Sequence, residues 1–273
     1  MVAAKFLILL LAAFQGKSIP QTFFLYLRSP AETLGFYMQY FYAPEAESNS
    51  SLLLPEEESF HLCKVLRMNI GEEITLLNGK GKAFKAHVEH AHPKKSLVIT
   101  QQMLHNEAAP SNTLHLFVCP TKTGERMEWL LEKGVEAGLN AITFVQSART
   151  EKSRINLDRL HKIALAALKQ CGRLWLPEIN PLSPLHEVAK YPANSKGFGY
   201  CGEEQKMLLP QWSKASGESA FLIGPEGDFT QAETEMLKEN NWQAISLGET
   251  RYRTETAALM IIFAHELERI NNL

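Results

Sequence analysis

Ala220-Phe221-Leu222-Ile223-Gly224-Pro225-Glu226-Gly227-Asp228-Phe229-Thr230 is the stretch on which the fold turns. It begins as a short apolar run, passes two glycines that flank a Pro-Glu pair, and ends at Thr230, with Glu233 three residues on. Threonine followed at that spacing by glutamate is a capping box, in which each side chain bonds the other's backbone N–H, so a helix starts there. Strand, glycine-rich turn and capped helix in succession make half of a βα unit. Gly224 and Gly227 open backbone paths closed to other residues and let a ligand approach the main chain, while Pro225 stiffens the turn. Ligands of open α/β sheets bind at this end of the strands. A tight surface turn explains the same glycines if the stretch stands alone.

A second segment repeats the arrangement about two dozen residues later: Leu247-Gly248-Glu249-Thr250-Arg251-Tyr252-Arg253-Thr254-Glu255-Thr256-Ala257-Ala258. Thr254 or Thr256 caps the last helix and Glu255 suits its positive first turn, but capping does not explain Arg251 and Arg253 beside it. Working outward, apolar runs at 114–118, 141–145, 220–223 and 244–247 alternate with helical periodicity at 126–137, 156–171, 230–239 and 255–270. This alternation predicts an α/β domain over residues 114–273 with a mostly parallel sheet. Within the last helix, the apolar residues 257–264 suit either a core or a partner.

Residues 38–104 read instead as a small β barrel or meander, with strands at 73–77, 83–88 and 97–100 separated by Asn78-Gly79-Lys80-Gly81 and His92-Pro93-Lys94-Lys95. One helix opens after Pro55, with Glu56, Glu57 and Glu58 at its positive end and Phe60, Val65 and Leu66 as its apolar face. Residues 105–113, with Asn106, Pro110, Ser111 and Asn112, read as a linker. Residues 1–37 carry Lys5 and the apolar run 6–14, which resembles a signal-peptide core and is too short to span a bilayer. The preferred alternative is that Met38 is the natural start and residues 1–37 are an extension outside the fold.

A 273-residue chain with 45% hydrophobic and 21% charged residues has the composition of a folded globular protein, which excludes a disordered or fibrous one. A net charge of −2 gives no global attraction to nucleic acid, so any such contact comes from local basic patches. The richest patch is Arg149, Lys152, Arg154, Arg159, Lys162, Lys169 and Arg173, set against Glu151 and Asp158. It suits phosphate contact, and a solvated helix face has the same composition. Cys63, Cys119, Cys171 and Cys201 lack metal or disulfide spacing and read as reduced, buried small hydrophobes, and no metal site is expected. Gly197, Gly199 and Gly202 match the dinucleotide pattern GxGxxG in the wrong context, with a polar loop before them and strand character within.

Together, these segments resemble the RsmE-type 16S ribosomal RNA uridine-N3 methyltransferases of the SPOUT superfamily, from about Met38 to Leu273. Similar stretches include Thr121 to Trp129, Glu132 to Leu139, Gln170-Cys171-Gly172-Arg173, His61-Leu62 and Val65-Leu66-Arg67. Two departures stand out. Asp228 replaces a glycine of the family's usual GPEGG, and Thr250-Arg251-Tyr252 replaces its common Arg-Ile-Leu.

The resemblance implies a C-terminal α/β domain with a deep trefoil knot and an N-terminal PUA-like RNA-binding domain. It implies S-adenosylmethionine as methyl donor, held by Leu222, Ile223, Gly224, Pro225, Glu226, Gly227, Leu247, Gly248, Tyr252, Thr254 and Ala257. It further implies a homodimer in the cytoplasm, without a membrane, acting on 16S rRNA of the 30S subunit. Uracil N3 keeps a proton, so positioning supplies much of the rate. Arg253 is expected to stabilise the developing negative charge, and Glu226 or Glu255 to take the proton. His61, Arg67, Lys122, Arg126, Arg149, Arg154 and Arg173 are the expected RNA contacts. A related enzyme acting on a ribose hydroxyl or a tRNA base, and a non-catalytic ribosome-assembly factor, are the competing readings.

Overall fold

Alternating apolar residues give β3 (Glu73–Leu77) and β4 (Lys82–His90), which pair antiparallel. The computed structural model describes residues 39–271 apart from 152–153, 203–205 and 215–216, so the expected extension at 1–37 and the basic residue Lys152 lie outside the described residues. Between β3 and β4, Asn78 Oδ1 accepts from the N–H groups of Lys80 and Lys82 at 2.8 and 3.0 Å and holds the turn closed. With β1 (Tyr40–Tyr42), β2 (Ser51–Leu53) and β5 (Leu97–Asn106) these form a five-stranded sheet in the order β1-β3-β4-β5-β2. β5 runs six residues past its predicted end and into the expected linker, because β4 reaches back far enough to pair Lys82 with Asn106.

The predicted helix forms as α1 (Glu56–Phe60) and then widens into a π turn over His61–Val65, closed by Leu66 N–H to the His61 carbonyl at 3.0 Å. The wider turn rotates the side chains away from a 3.6-residue period. The apolar face read from that period is therefore displaced: Leu62 is fully buried, whereas Phe60 and Val65 are 53% and 59% exposed.

Downstream the chain alternates strand and helix: β6 (Thr113–Val118), α2 (Gly124–Ala137), β7 (Ala141–Gln146), α3 (Leu157–Cys171), β8 (Glu178–Pro184), α4 (Leu185–Val188) and β9 (Ser195–Gly199), followed by β10 (Met207–Leu208), α5 (Leu209–Trp212), β11 (Glu218–Ile223), α6 (Gln231–Glu239), β12 (Gln243–Ser246) and α7 (Thr254–Asn271), of which β6, β7, β11, β12, α2, α3, α6 and α7 are the expected ones. The strands form one parallel sheet in the order β10-β12-β9-β11-β6-β7-β8. β8 was hidden in the sequence by Pro181 and Pro184, which this position tolerates because β8 ends the sheet.

Both faces of the sheet are covered. Leu114, Leu116 and Val118 of β6 pack with α2, α3 and α7 residues such as Leu130, Leu168 and Ile261, while Phe117 points the other way toward Phe198, Leu222 and Trp242. α7 buries Ala257, Ala258, Ile261 and Ile262 in the first of these cores. Thr230 caps α6 as read: its N–H donates to Glu233 Oε2 at 2.8 Å and its hydroxyl accepts from Glu233 N–H.

The turn at 78–81 also joins the two sheets, through Gly81 N–H to the Leu174 carbonyl at 2.9 Å and Leu176 N–H to the Gly79 carbonyl at 3.0 Å. Gly81 has φ +89, and a Cβ there would lie 2.4 Å from the Glu107 carbonyl oxygen, so no other residue fits. The four cysteines are free, but only Cys119 is buried; Cys63 is half-buried, and Cys171 and Cys201 are exposed in loops or at a helix end. Among the described residues no helix is long and apolar enough to cross a membrane, and no cluster of His, Cys, Asp or Glu could hold a metal ion.

Candidate functional site

β9 lies between β11 and β12, so the carboxyl ends of all three strands, and the loops that follow, meet at one edge of the sheet. These loops, with Thr254 and Ala257 of α7 and Arg126 of α2, enclose a cavity of about 630 Å³. That volume is of the size that holds a drug-sized or cofactor-sized ligand. Gly248 has φ +124, a conformation that disfavours any side chain, and it turns the chain back from β12 along the cavity. Among the described residues no main-chain carbonyl accepts from the N–H groups of Glu249 to Tyr252, which leaves polar main chain available in the lining.

Most of the predicted donor-site residues come together here. Ile223, Gly224, Pro225, Glu226, Leu247, Gly248, Tyr252, Thr254 and Ala257 line the cavity. Leu222 does not, because strand alternation turns it into the core on the far face of the sheet. Gly227 lies outside the lining, with its carbonyl accepting from Arg149 Nη1 at 2.7 Å. Sequence reasoning missed Gly199, Tyr200, Cys201 and Gly202, which belong to the glycine pattern rejected as a dinucleotide fingerprint. The rejection was correct for Gly197, which sits in β9 under Trp212. Yet the same pattern ends in the cavity wall.

The predicted catalytic groups occupy different surroundings. Arg253 is exposed and lines the cavity. The Glu226 carboxylate accepts from Arg126 Nη1 at 2.9 Å, and its carbonyl accepts from Arg251 Nη2 at 3.2 Å. Glu255 is buried in the first turn of α7, with Oε1 3.8 Å from Arg126 Nε and with Oε2 lacking a partner among the described residues. Arg126, expected on the RNA track, thus sits in the cavity and joins both carboxylates.

The expected RNA contacts are scattered. Arg173 is committed to internal partners, the Glu136 carbonyl and Glu266 Oε1 at 2.9 Å. Of the other basic residues on or beside α3, Arg159 pairs with Glu128, Lys162 with Glu57 and Lys169 with Glu58. Much of the basic run is therefore matched by acids of the chain itself. Lys122 pairs with Glu151 at 3.3 Å, and Arg154 is exposed. His61 begins the π turn, edge-on to Phe41, and Arg67 follows it at φ +55.

The chain matches two family models: the RNA methyltransferase domain over residues 108–266 and the RNA methyltransferase PUA domain over residues 54–101. It is 27% identical over 238 residues to the ribosomal RNA small subunit methyltransferase E of Bacillus subtilis, covering 81% of this chain and 91% of that one. Its structure is similar, with a TM-score of 0.78 and 32% identity, to a probable rRNA-methyltransferase from Porphyromonas gingivalis, over 86% of this chain and all of the other. It is likewise similar, with a TM-score of 0.75 and 30% identity, to the small subunit methyltransferase E of Neisseria gonorrhoeae bound to S-adenosyl methionine, over 85% and 98% of the two chains.

Proposed function

The chain belongs to the RNA methyltransferase domain family, and on that premise we propose that it transfers a methyl group from S-adenosylmethionine to N3 of a uridine in 16S rRNA of the 30S subunit. The observation that carries the reading is the cavity formed where β9, β11 and β12 end. The residues present fit the donor: the volume suffices, Ile223, Leu247 and Ala257 supply apolar wall, and the Glu249–Tyr252 stretch keeps main-chain N–H groups that no carbonyl of the described residues accepts from, beside glycine-opened backbone. Nucleoside edges are well met by such main-chain groups, because these are fixed before the ligand arrives. When bound, the donor supplies an electrophilic methyl group on a sulfonium sulfur.

The chain's own task is then to hold the uracil in line and to manage its charge. Loss of the N3 proton to a base would leave negative charge on N3 and the flanking oxygens, and N3 would take the methyl group as its bond to sulfur breaks and the donor departs as the neutral thioether. Arg253, exposed in the cavity, is suited to stabilise that charge as a fixed cation. Glu226 offers an accessible carboxylate for the proton, which Arg126 Nη1 holds through Oε1, while Arg251 Nη2 bonds the Glu226 main-chain carbonyl. Glu255 is the alternative acceptor, through Oε2, which has no partner among the described residues.

The same reading includes a trefoil knot threading the loops after β11 and β12, a homodimer, and a PUA-like module in residues 38–104 that brings His61 and Arg67 to the RNA. The family match at residues 54–101 supports the PUA-like module. Labelled donor incubated with small subunits lacking the modification should place label on N3 of a uridine in 16S rRNA. Label on tRNA or on a ribose would overturn the acceptor, and folded protein that binds no donor would overturn the enzyme reading altogether.

A further inference from the structure

We propose that Asp228 is a positioning residue that latches the loop after β9 to the loop after β11 and so preforms one wall of the donor cavity. Asp228 has φ +63, a left-handed conformation that glycine adopts without strain and other residues adopt at a cost. Its backbone N–H closes the local turn onto the Pro225 carbonyl at 2.9 Å, which a glycine would do equally well. The carboxylate adds what glycine lacks. Oδ1 accepts from Phe229 N–H at 2.8 Å, and Oδ2 accepts from Cys201 N–H at 2.8 Å, across 27 residues of sequence.

The second bond is the informative one. Tyr200 and Gly202 accept from Lys206 Nζ at 2.7 and 2.6 Å, but those bonds tie the β9 loop to itself. The Asp228–Cys201 bond ties it to the neighbouring loop, and Cys201 and Asp228 both line the cavity. A charged acceptor in a strained conformation, bonding main chain on both sides, holds the two walls at a fixed separation before any ligand enters.

The inference rests on the donor-site reading, and its test separates the two. In Asp228→Gly, which relieves the backbone strain, the melting temperature should hold or rise. Binding of S-adenosylmethionine and of S-adenosylhomocysteine, measured by calorimetry, should weaken about tenfold, the size of losing a charged hydrogen bond. KM for the donor should rise in step while kcat stays within about twofold. Asp228→Asn, which keeps one acceptor oxygen, should fall between. In ligand-free protein, alkylation of Cys201 followed by peptide mass spectrometry should run faster in the glycine variant, since the loop is released. Wild-type affinity in Asp228→Gly overturns the proposal, as does an unchanged Cys201 rate. A wild-type protein that binds no donor would sink the donor reading, while the Cys201 rates would still decide the latch.

Discussion

Arg126 reaches two carboxylates, Glu226 at 2.9 Å and Glu255 at 3.8 Å, whereas Arg253 lines the same cavity without a carboxylate partner among the described residues. The difference separates their roles: a paired guanidinium is held as structure, and an unpaired one is available for charge that develops during a reaction. Arg253→Ala should therefore abolish turnover while calorimetric donor binding persists within about tenfold; unchanged turnover would remove Arg253 from catalysis. Arg253 was legible from its place beside the expected helix start; α7 begins at Thr254, so neither Thr254 nor Thr256 stands at its cap, and the Arg253 carbonyl accepts from Ala257 N–H instead. Arg126 was legible as a cation but not as a neighbour of Glu226, because 100 residues separate them in the chain.

At the scale of elements, the three glutamates of α1 and the basic face of α3 answer one another. Glu56, Glu57 and Glu58 were readable as acids suited to a helix start, yet two of them also receive Lys162 and Lys169 of α3. Glu58 is only 6% exposed, and one of its oxygens already lacks a partner among the described residues. Removing its cation leaves a buried, unpaired charge, so Lys169→Ala should destabilise the fold by about 3 kcal/mol in urea titration. Glu58→Gln added to Lys169→Ala should recover much of that loss; an additive double variant would show that the pair is not coupled. Gly134 in α2, which weakens a helix by propensity, lets Leu139, and Ile262 of α7, approach, and Gly138, just past α2, ends the helix at φ +91.

Across the whole molecule, stability is tied to pH through a polar network at the opposite, amino-terminal end of the sheet from the cavity. His115 of β6 bonds Thr143 Oγ1 through Nε2 at 2.7 Å and Tyr191 Oη through Nδ1 at 2.9 Å, and the Tyr191 hydroxyl donates to Glu218. Since that hydroxyl hydrogen is committed to Glu218, Nδ1 donates to the tyrosine oxygen and Nε2 accepts from threonine, which fixes a neutral ring. Burial lowers the His115 pKa to about 4 against the upward pull of Glu178 and Glu218. The unfolded chain, titrating near 6.5, then binds the extra proton between these values, so stability is full above pH 6.5 and falls as pH drops toward 4. The loss over that window should be about 3 kcal/mol. Burial depresses His265 in the same direction. His115→Gln should flatten most of the slope in urea titrations at pH 4.5 and 7; an unchanged slope would place the acid sensitivity elsewhere.

Four strands of the parallel sheet (β6, β7, β11 and β12), its four long helices, the capped start at Thr230, and most of the cavity lining in the two C-terminal segments followed from the sequence, because capping, alternation and glycine turns are local and leave local marks. What tertiary structure decided was non-local. It placed β9 between β11 and β12, and so turned a glycine pattern with the wrong context into a cavity wall. It set acids far along the chain against the basic helix, which spacing cannot reveal. It also widened α1 into a π turn, and joined Asp228 to Cys201 across two strands. Each of these depends on which strand pairs with which, a choice made by burying both faces of a parallel sheet at once and not written in any single stretch of residues.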